Sequence, residues 1–201
     1  MMKLEDQLAQ LAEIGLPLNE GITVNHLLLF DSDPESIVND LLLAGQRKDF
    51  EEKPFGLILW IMGCALQYEP WGRSICSPLW HFDCECVHRP DIYTNLVTRL
   101  CEAAGFPEHI KDIDSFVDLE KEEAWLKYTV NGVERYHYLD VNYDWVDCLT
   151  LAYVMNDIEH DGCLFYDLDT QGQTKFLLYL SPEAAETLSK LANITLEPAS
   201  M

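Results

Sequence analysis

The feature that most constrains this chain is a pair of alternating segments, residues 124–130 and 133–141, joined by Asn131-Gly132. In each segment apolar or aromatic residues alternate with polar ones, as in a β-strand that buries one face. Asn and Gly both accept the positive φ angles that a two-residue hairpin turn requires. The sequence therefore predicts an antiparallel β-hairpin, and an all-helical fold is excluded.

Alternating and helix-like patterns follow one another in the C-terminal portion of the chain. They predict, in order, a strand, a helix, three strands, a helix, two strands, a helix and a short edge strand. Asp144 is predicted to be the N-cap of the second helix. The buried stripe of that helix is predicted to carry Val146, Leu149, Tyr153 and Val154. The predicted strands span residues 80–86, 113–119, 124–130, 133–141, 163–168, 174–180 and 194–196.

The N-terminal portion carries mainly helical patterns. Leucines at helical spacing predict a first helix, and Asp33-Pro34 is typical of the start of another, which would continue to Gly45. Residues 46–54 are expected to form a loop and residues 55–68 a buried helix.

Together these patterns predict an α+β fold with a largely antiparallel sheet, hairpins and inserted helices. The length of 201 residues favours a single domain, with a mainly helical portion over residues 1–78 and a mixed α+β portion over residues 79–201. Hydrophobic residues make up 48% of the chain, which is enough to bury a core.

The net charge of the chain limits the kinds of molecule that it can be expected to bind. It has 35 acidic and 13 basic residues, for a formal net charge of −22. Binding to phosphate backbones and to anionic membranes depends on Lys and Arg, so we expect neither nucleic acid nor a membrane as a direct partner. The most apolar run, residues 55–66, is also shorter than the roughly 20 residues of a membrane-spanning helix.

The cysteine count and the N-terminal sequence indicate the cellular compartment in which the protein is expected. Seven cysteines are an odd number, so a framework that pairs every cysteine is impossible. The acidic, amphipathic N-terminus does not have the pattern of an export signal. We therefore expect a cytoplasmic protein, in which Cys84 and Cys86 pack as small apolar residues. The sequence contains no phosphate-binding loop, dinucleotide fingerprint or nucleophile elbow, so no cofactor is expected.

Four side chains with metal-binding or acid–base chemistry lie close together in the sequence: His81, Asp83, Glu85 and His88. If residues 80–86 form a strand, the first three lie on one face, about 6–7 Å apart, where they could hold Mg²⁺ or Mn²⁺. His81 or His88 would then be a metal ligand or a general base. Alternatively, the cluster is the polar face of a half-buried sheet.

A short resemblance accompanies this cluster. Residues 82–85, Phe-Asp-Cys-Glu, resemble the Phe-Asp-x-Glu motif of DEDD-type exonucleases, in which the Asp and Glu hold the catalytic metals. His109 and Asp114 match the spacing of that family's His-x-x-x-x-Asp motif, but they follow the first motif after a much shorter interval. The resemblance implies a metal-dependent phosphodiesterase or other hydrolase that uses this motif together with His81.

Between Arg135 and Lys175 the sequence contains no Lys or Arg and eight acidic residues, interleaved with Tyr and Trp. These carboxylates cannot all be paired within the segment. They form either a solvated face that maintains solubility or a docking surface for a basic protein. The residues expected to bind such a partner are Asp140, Tyr143, Asp144, Trp145, Asp147, Asp157, Glu159 and Asp161.

The sequence favours a non-enzymatic interaction protein or inhibitor that binds a basic protein through this acidic and aromatic surface. In composition it resembles small bacterial immunity proteins that neutralise toxic nucleases. The metal-dependent hydrolase is the alternative. A third possibility is a domain of a larger assembly whose charge serves solubility.

Overall fold

The computed structural model describes residues 2–30, 40–168 and 172–200, and it has the predicted α+β architecture. From residue 79 onward the order of helices and strands is the predicted one. Within the described residues the helices are α1 (Leu4–Glu13), α2 (Val24–Leu28), α3 (Asp40–Glu52), α4 (Gly56–Met62), α5 (Ile92–Ala103), α6 (Cys148–Ile158) and α7 (Pro182–Ala192). The strands are β1 (Leu79–Asp83), β2 (Ile110–Asp118), β3 (Glu123–Val130), β4 (Val133–Tyr138), β5 (Leu164–Leu168), β6 (Thr174–Leu180) and β7 (Leu196–Pro198).

The predicted hairpin is formed by β3 and β4. Val130 is paired with Val133, and the two turn residues have φ angles of 52° at Asn131 and 75° at Gly132. Local turn chemistry therefore sets the register of this hairpin. The second strand ends at Tyr138, three residues before the predicted end, although the backbone N–H of Leu139 still donates to the carbonyl oxygen of Ala124 in β3 at 3.0 Å.

The N-terminal helices differ from their predictions in length. The structure continues α3 through Glu52, where the sequence predicts a loop after Gly45. The additional turns are held by Phe50, whose side chain is buried and whose carbonyl oxygen accepts a hydrogen bond from Gln7 Nε2 at 3.0 Å. The predicted helix start at Asp33-Pro34 lies outside the described residues.

The strands form two antiparallel sheets rather than one. The first has the order β1-β6-β5-β7, and the second has the order β2-β3-β4. Strands that are distant in sequence, such as β1 and β6, are neighbours in the first sheet, and this pairing could not be deduced from local patterns.

Both faces of the four-stranded sheet are covered. Phe176 and Leu178 of β6 belong to the apolar core that contains the N-terminal helices and α7. Leu177 and Tyr179 belong to a second core, which contains α5, α6 and the inner face of the three-stranded sheet. Strand β1 lies at the edge of this sheet, and because both faces of the sheet are covered, Leu79 packs in one core while Trp80 and Phe82 pack against the other.

Helix α6 begins three residues later than predicted. Asp147, and not Asp144, is the N-cap, because its Oδ1 accepts a hydrogen bond from the backbone N–H of Thr150 at 3.0 Å. Val146 and Val154 are buried as predicted, but Leu149 and Tyr153 are exposed. The side chains that α6 buries are Thr150, Leu151, Ala152, Val154, Met155 and Ile158.

Candidate functional site

The residues of the alternative metal site are not assembled as one strand face. Strand β1 ends at Asp83, whose Oδ1 accepts a hydrogen bond from the backbone N–H of Glu85 at 2.9 Å. This local bond turns the chain out of the sheet, so Glu85 does not continue the face of His81 and Asp83. The predicted strand over residues 80–86 is therefore wrong in its last three residues.

His81 lies in a packed layer between α4 and β6. Its ring centre is 3.8 Å from that of Trp60 and 5.8 Å from that of Phe176. Its Nδ1 is 3.7 Å from Cys64 Sγ, and its buried Nε2 has no hydrogen-bond partner among the described residues. Burial lowers the pKa of His81, although Asp83 opposes this effect. The expectation that this face is polar is wrong at His81.

His88, the fourth member of the cluster, lies apart from that layer. Its Nδ1 is 3.9 Å from Asp144 Oδ2, and both side chains are exposed. In the part of the chain that the structure describes, no group of three or more His, Cys, Asp or Glu side chains is arranged to hold a metal ion.

Several of the acids that were expected to bind a partner already have partners within the chain. Asp147 caps α6 and also accepts hydrogen bonds from Thr150 Oγ1 at 2.8 Å and the backbone N–H of Asp140 at 3.1 Å. Asp157 accepts hydrogen bonds from Tyr128 and Arg135. The side chains of Asp147 and Asp157 therefore make internal hydrogen bonds that stabilise the fold.

Two further acids of the stretch are also engaged. Glu159 Oε1 accepts a hydrogen bond from the backbone N–H of Phe165 at 2.8 Å. Asp167 forms an ion pair with Lys175, the basic residue that ends the acidic interval. Arg135, the basic residue that begins it, pairs with Asp157, so each flanking cation neutralises one acid from within the stretch.

The remaining predicted residues separate into two places. Asp140, Tyr143, Asp144 and Trp145 lie in the connection between β4 and α6, whereas Asp161 lies in an exposed turn after α6. Helix α6 has 11 residues, which corresponds to a length of about 16 Å between the two places. The structure therefore does not bring the predicted set together as one continuous surface.

A groove of about 640 Å³ lies beside the connection between β4 and α6. Tyr143 is 84% exposed at this groove, and its backbone has a φ of 52°. Glu122, in the turn between β2 and β3, lines the groove, although the sequence did not predict it to bind a partner. The groove is lined by His88, Leu119, Glu122, Val141, Asn142, Tyr143 and Asp144. We call this feature the acidic groove.

A row of aromatic side chains crosses the outer face of the three-stranded sheet. Phe116, Trp125 and Tyr136 lie on successive strands, with ring centres 6.3 Å apart for the first pair and 5.9 Å apart for the second. Tyr138, which is 85% exposed, packs edge-on against Tyr136 at 5.1 Å. We call these four residues the aromatic row. Alternation along β4 was the sequence signal for its last two members.

Comparison of the chain with models of protein families, with curated proteins and with solved structures found no match. Among the described residues, no helix has both the length and the apolar composition needed to cross a bilayer. The function of the chain is therefore inferred from the chemistry of the surfaces described above.

Proposed function

We propose that this protein binds a basic protein partner through the acidic groove and the neighbouring aromatic row. The observation that carries the proposal is the lining of the groove, which combines the carboxylates of Glu122 and Asp144 with an exposed tyrosine and includes no Lys or Arg. A groove of this kind suits a cationic side chain, because carboxylates pair with it while an aromatic ring contacts its face.

The aromatic side chains give the surface its contact area. Tyr138 and Tyr143 are each more than four-fifths exposed, at 85% and 84%. Tyrosine adds a large, stiff contact surface with a polar tip, and aromatic residues are enriched where proteins bind one another. Arg is a particularly suitable partner, because its planar guanidinium stacks on aromatic rings as well as pairing with carboxylates.

The net charge supports the same class of partner. At −22, the field of this protein accelerates encounter with a cationic surface and disfavours anionic ones. Short-range contacts in the acidic groove would then determine the orientation of the complex.

The biological role that we propose is that of an immunity-type inhibitor. Proteins that act on nucleic acids are typically basic, so a toxic nuclease has the surface chemistry that this groove fits. In this role the protein is not an enzyme, and it blocks its partner by occupying the basic surface that would bind nucleic acid. The product of a neighbouring gene is the first partner to test by co-expression and co-purification.

A pair of isosteric substitutions tests the groove directly. The variant Glu122→Gln/Asp144→Asn removes two charges with little change in shape, and the control variant Glu13→Gln/Glu108→Gln removes two exposed charges elsewhere. Binding of fluorescent oligo-arginine and oligo-lysine peptides of equal length is measured at low and high salt. We expect the groove variant to lose more affinity than the control, and the parent protein to prefer oligo-arginine.

The ring of Tyr143 provides the second test. Tyr143→Ala is expected to remove the preference for arginine over lysine while leaving the salt dependence of binding unchanged. Equal losses in the groove and control variants would show that only net charge attracts the peptides. That outcome would contradict the proposed site and leave the acidic surface with a role in solubility.

A further inference from the structure

A second cavity lies where the start of α6 packs over the four-stranded sheet. Its volume is about 220 Å³, and its floor and walls come from four separate elements and the C-terminal segment. Cys148, the first residue of α6, is exposed at this cavity. The lining residues are Phe82, Cys148, Leu151, Met155, Asp167, Lys175, Leu177, Glu197, Pro198 and Ala199.

A second cysteine lies beside the start of α6. Cys84 follows β1, and its side chain is buried. Its backbone N–H donates to the carbonyl oxygen of Gln173 at 2.7 Å, and its own carbonyl oxygen accepts from the N–H of Val146 at 2.8 Å. These bonds hold Cys84 between the start of β6 and the start of α6, so its thiol lies near Cys148, close enough for the two side chains to interact.

The charges around the two sulfurs favour a thiolate at Cys148. The hydrogen bond from Cys84, together with the positive charge of Lys175, lowers the pKa of Cys148 to about 7, although burial, Asp147 and Asp167 oppose this effect. The same hydrogen bond and burial raise the pKa of the Cys84 thiol well above its usual range. Glu197 of β7 also lines the cavity and adds to the opposing negative charge. One cysteine is therefore poised as a nucleophile and the other as a proton donor.

We propose that Cys148 is a nucleophilic site that reacts with peroxides, and that Cys84 resolves the product as an intramolecular disulfide. The proposal rests on the cavity at Cys148, on the backbone hydrogen bonds that hold Cys84 beside the start of α6 and on the adjacent Lys175, and it is independent of the function proposed above. The cavity admits a small oxidant, whereas the apolar side chains of Phe82, Leu151 and Leu177 surround the reacting sulfur.

The chemistry takes place in two steps. The Cys148 thiolate attacks one oxygen of the peroxide, so an S–O bond forms, the O–O bond breaks, and the leaving oxyanion takes a proton from solvent. The sulfur of Cys84 then attacks the sulfenic sulfur of Cys148. An S–S bond forms, and the hydroxyl group leaves as water with the proton of the Cys84 thiol. The two sulfurs together supply the two electrons that reduce the peroxide.

Peptide mapping of the whole protein tests the proposal. The reduced chain is treated with hydrogen peroxide, its remaining thiols are alkylated, and the digest is analysed by mass spectrometry. We expect a Cys84–Cys148 disulfide in the parent, and a sulfenic acid at Cys148 that a dione probe traps in Cys84→Ser. The variant Cys148→Ser should give neither product. Cys163→Ser, which changes a partly exposed cysteine elsewhere, should behave as the parent.

The rate of alkylation by iodoacetamide tests the site first in the parent protein, without any substitution. In the parent, the rate at Cys148 should rise with a midpoint near pH 7, about 1.5 pH units below that of an unperturbed thiol. Cys84→Ala removes the donor and should raise this midpoint, whereas Cys84→Ser retains a donor. A disulfide that joins other cysteines, or an ordinary midpoint at Cys148, would overturn the proposal.

Discussion

The carboxylate of Asp157 and the guanidinium of Arg135 form a two-pronged ion pair, with nitrogen–oxygen distances of 3.1 and 3.2 Å. Asp157 Oδ2 also accepts a hydrogen bond from Tyr128 Oη at 2.9 Å. Because Tyr128 is fully buried in β3, these contacts attach the end of α6 to the β3–β4 hairpin. Asp157, which the sequence predicts to contact a partner, thus forms contacts within the chain.

We expect Asp157→Asn to lower the free energy of unfolding by about 1 kcal/mol or more, because the bond from buried Tyr128 loses its charged acceptor. The matched control is Asp161→Asn, in an exposed turn where φ is 51°, a conformation that Asn accepts. The control should change stability by less than about 0.5 kcal/mol. Denaturant unfolding of both variants measures the difference, and equal stabilities would contradict the structural role of Asp157.

Asp147 is expected to be important for stability as the N-cap of α6. Asp147→Ala should cost about 1–2 kcal/mol, because the backbone N–H of Thr150 loses its acceptor. Asp147→Asn should retain most of the stability, since Asn caps helices about as well as Asp. The comparison uses thermal and denaturant unfolding. An Ala variant as stable as the Asn variant would show that the cap contributes little.

Gly63 is expected to be required for the close approach of α4 to β1. A Cβ at this position would lie 2.5 Å from Leu79 Cδ2 and 3.0 Å from His81 Cβ. We therefore expect Gly63→Ala to destabilise the fold by about 1–3 kcal/mol, the usual range for overpacking. Gly45→Ala is the control, because no atom of the residues that the structure describes lies within 4 Å of its added Cβ. It should be neutral or stabilise α3, and the two effects are compared by denaturant unfolding.

Stability is expected to fall as the pH falls below 6.5, the ordinary pKa of histidine. Burial lowers the pKa of His81, so the unfolded chain binds a proton at a pH where the folded protein does not, and unfolding becomes more favourable. His137 contributes in the same direction, because burial lowers its pKa as well. His81→Gln should flatten the dependence of the unfolding midpoint on pH.

The control for this prediction is His88→Gln, since the His88 side chain is 64% exposed. It should leave the pH profile of stability close to that of the parent. A profile that His88→Gln flattens as much as His81→Gln would assign the effect to general charge rather than to the buried imidazole.

The features that the sequence determined by itself are those that depend on neighbouring residues. Asn131-Gly132 specifies a turn because both residues accept positive φ, and Ser181 begins α7 because its side chain accepts the N–H of Ala184. The segment of residues 174–180, taken as the second strand of a hairpin, was likewise predicted at the limits observed for β6. Such signals act within one or two turns of chain, so one sequence is sufficient to locate them.

The tertiary structure alone decided which polar side chains are engaged in internal contacts and which remain exposed. Asp157 and Arg135 are separated by 22 positions in sequence, and Cys84 and Cys148 by still more, so no local pattern could pair them. The same applies to His81, which lies in the packed layer only because β1 pairs with β6 and α4 packs against it. The energy of these contacts comes from burial and from hydrogen bonds between distant segments. They exist only when the chain is folded, and they separate the acids that hold the fold together from those that remain exposed at the acidic groove.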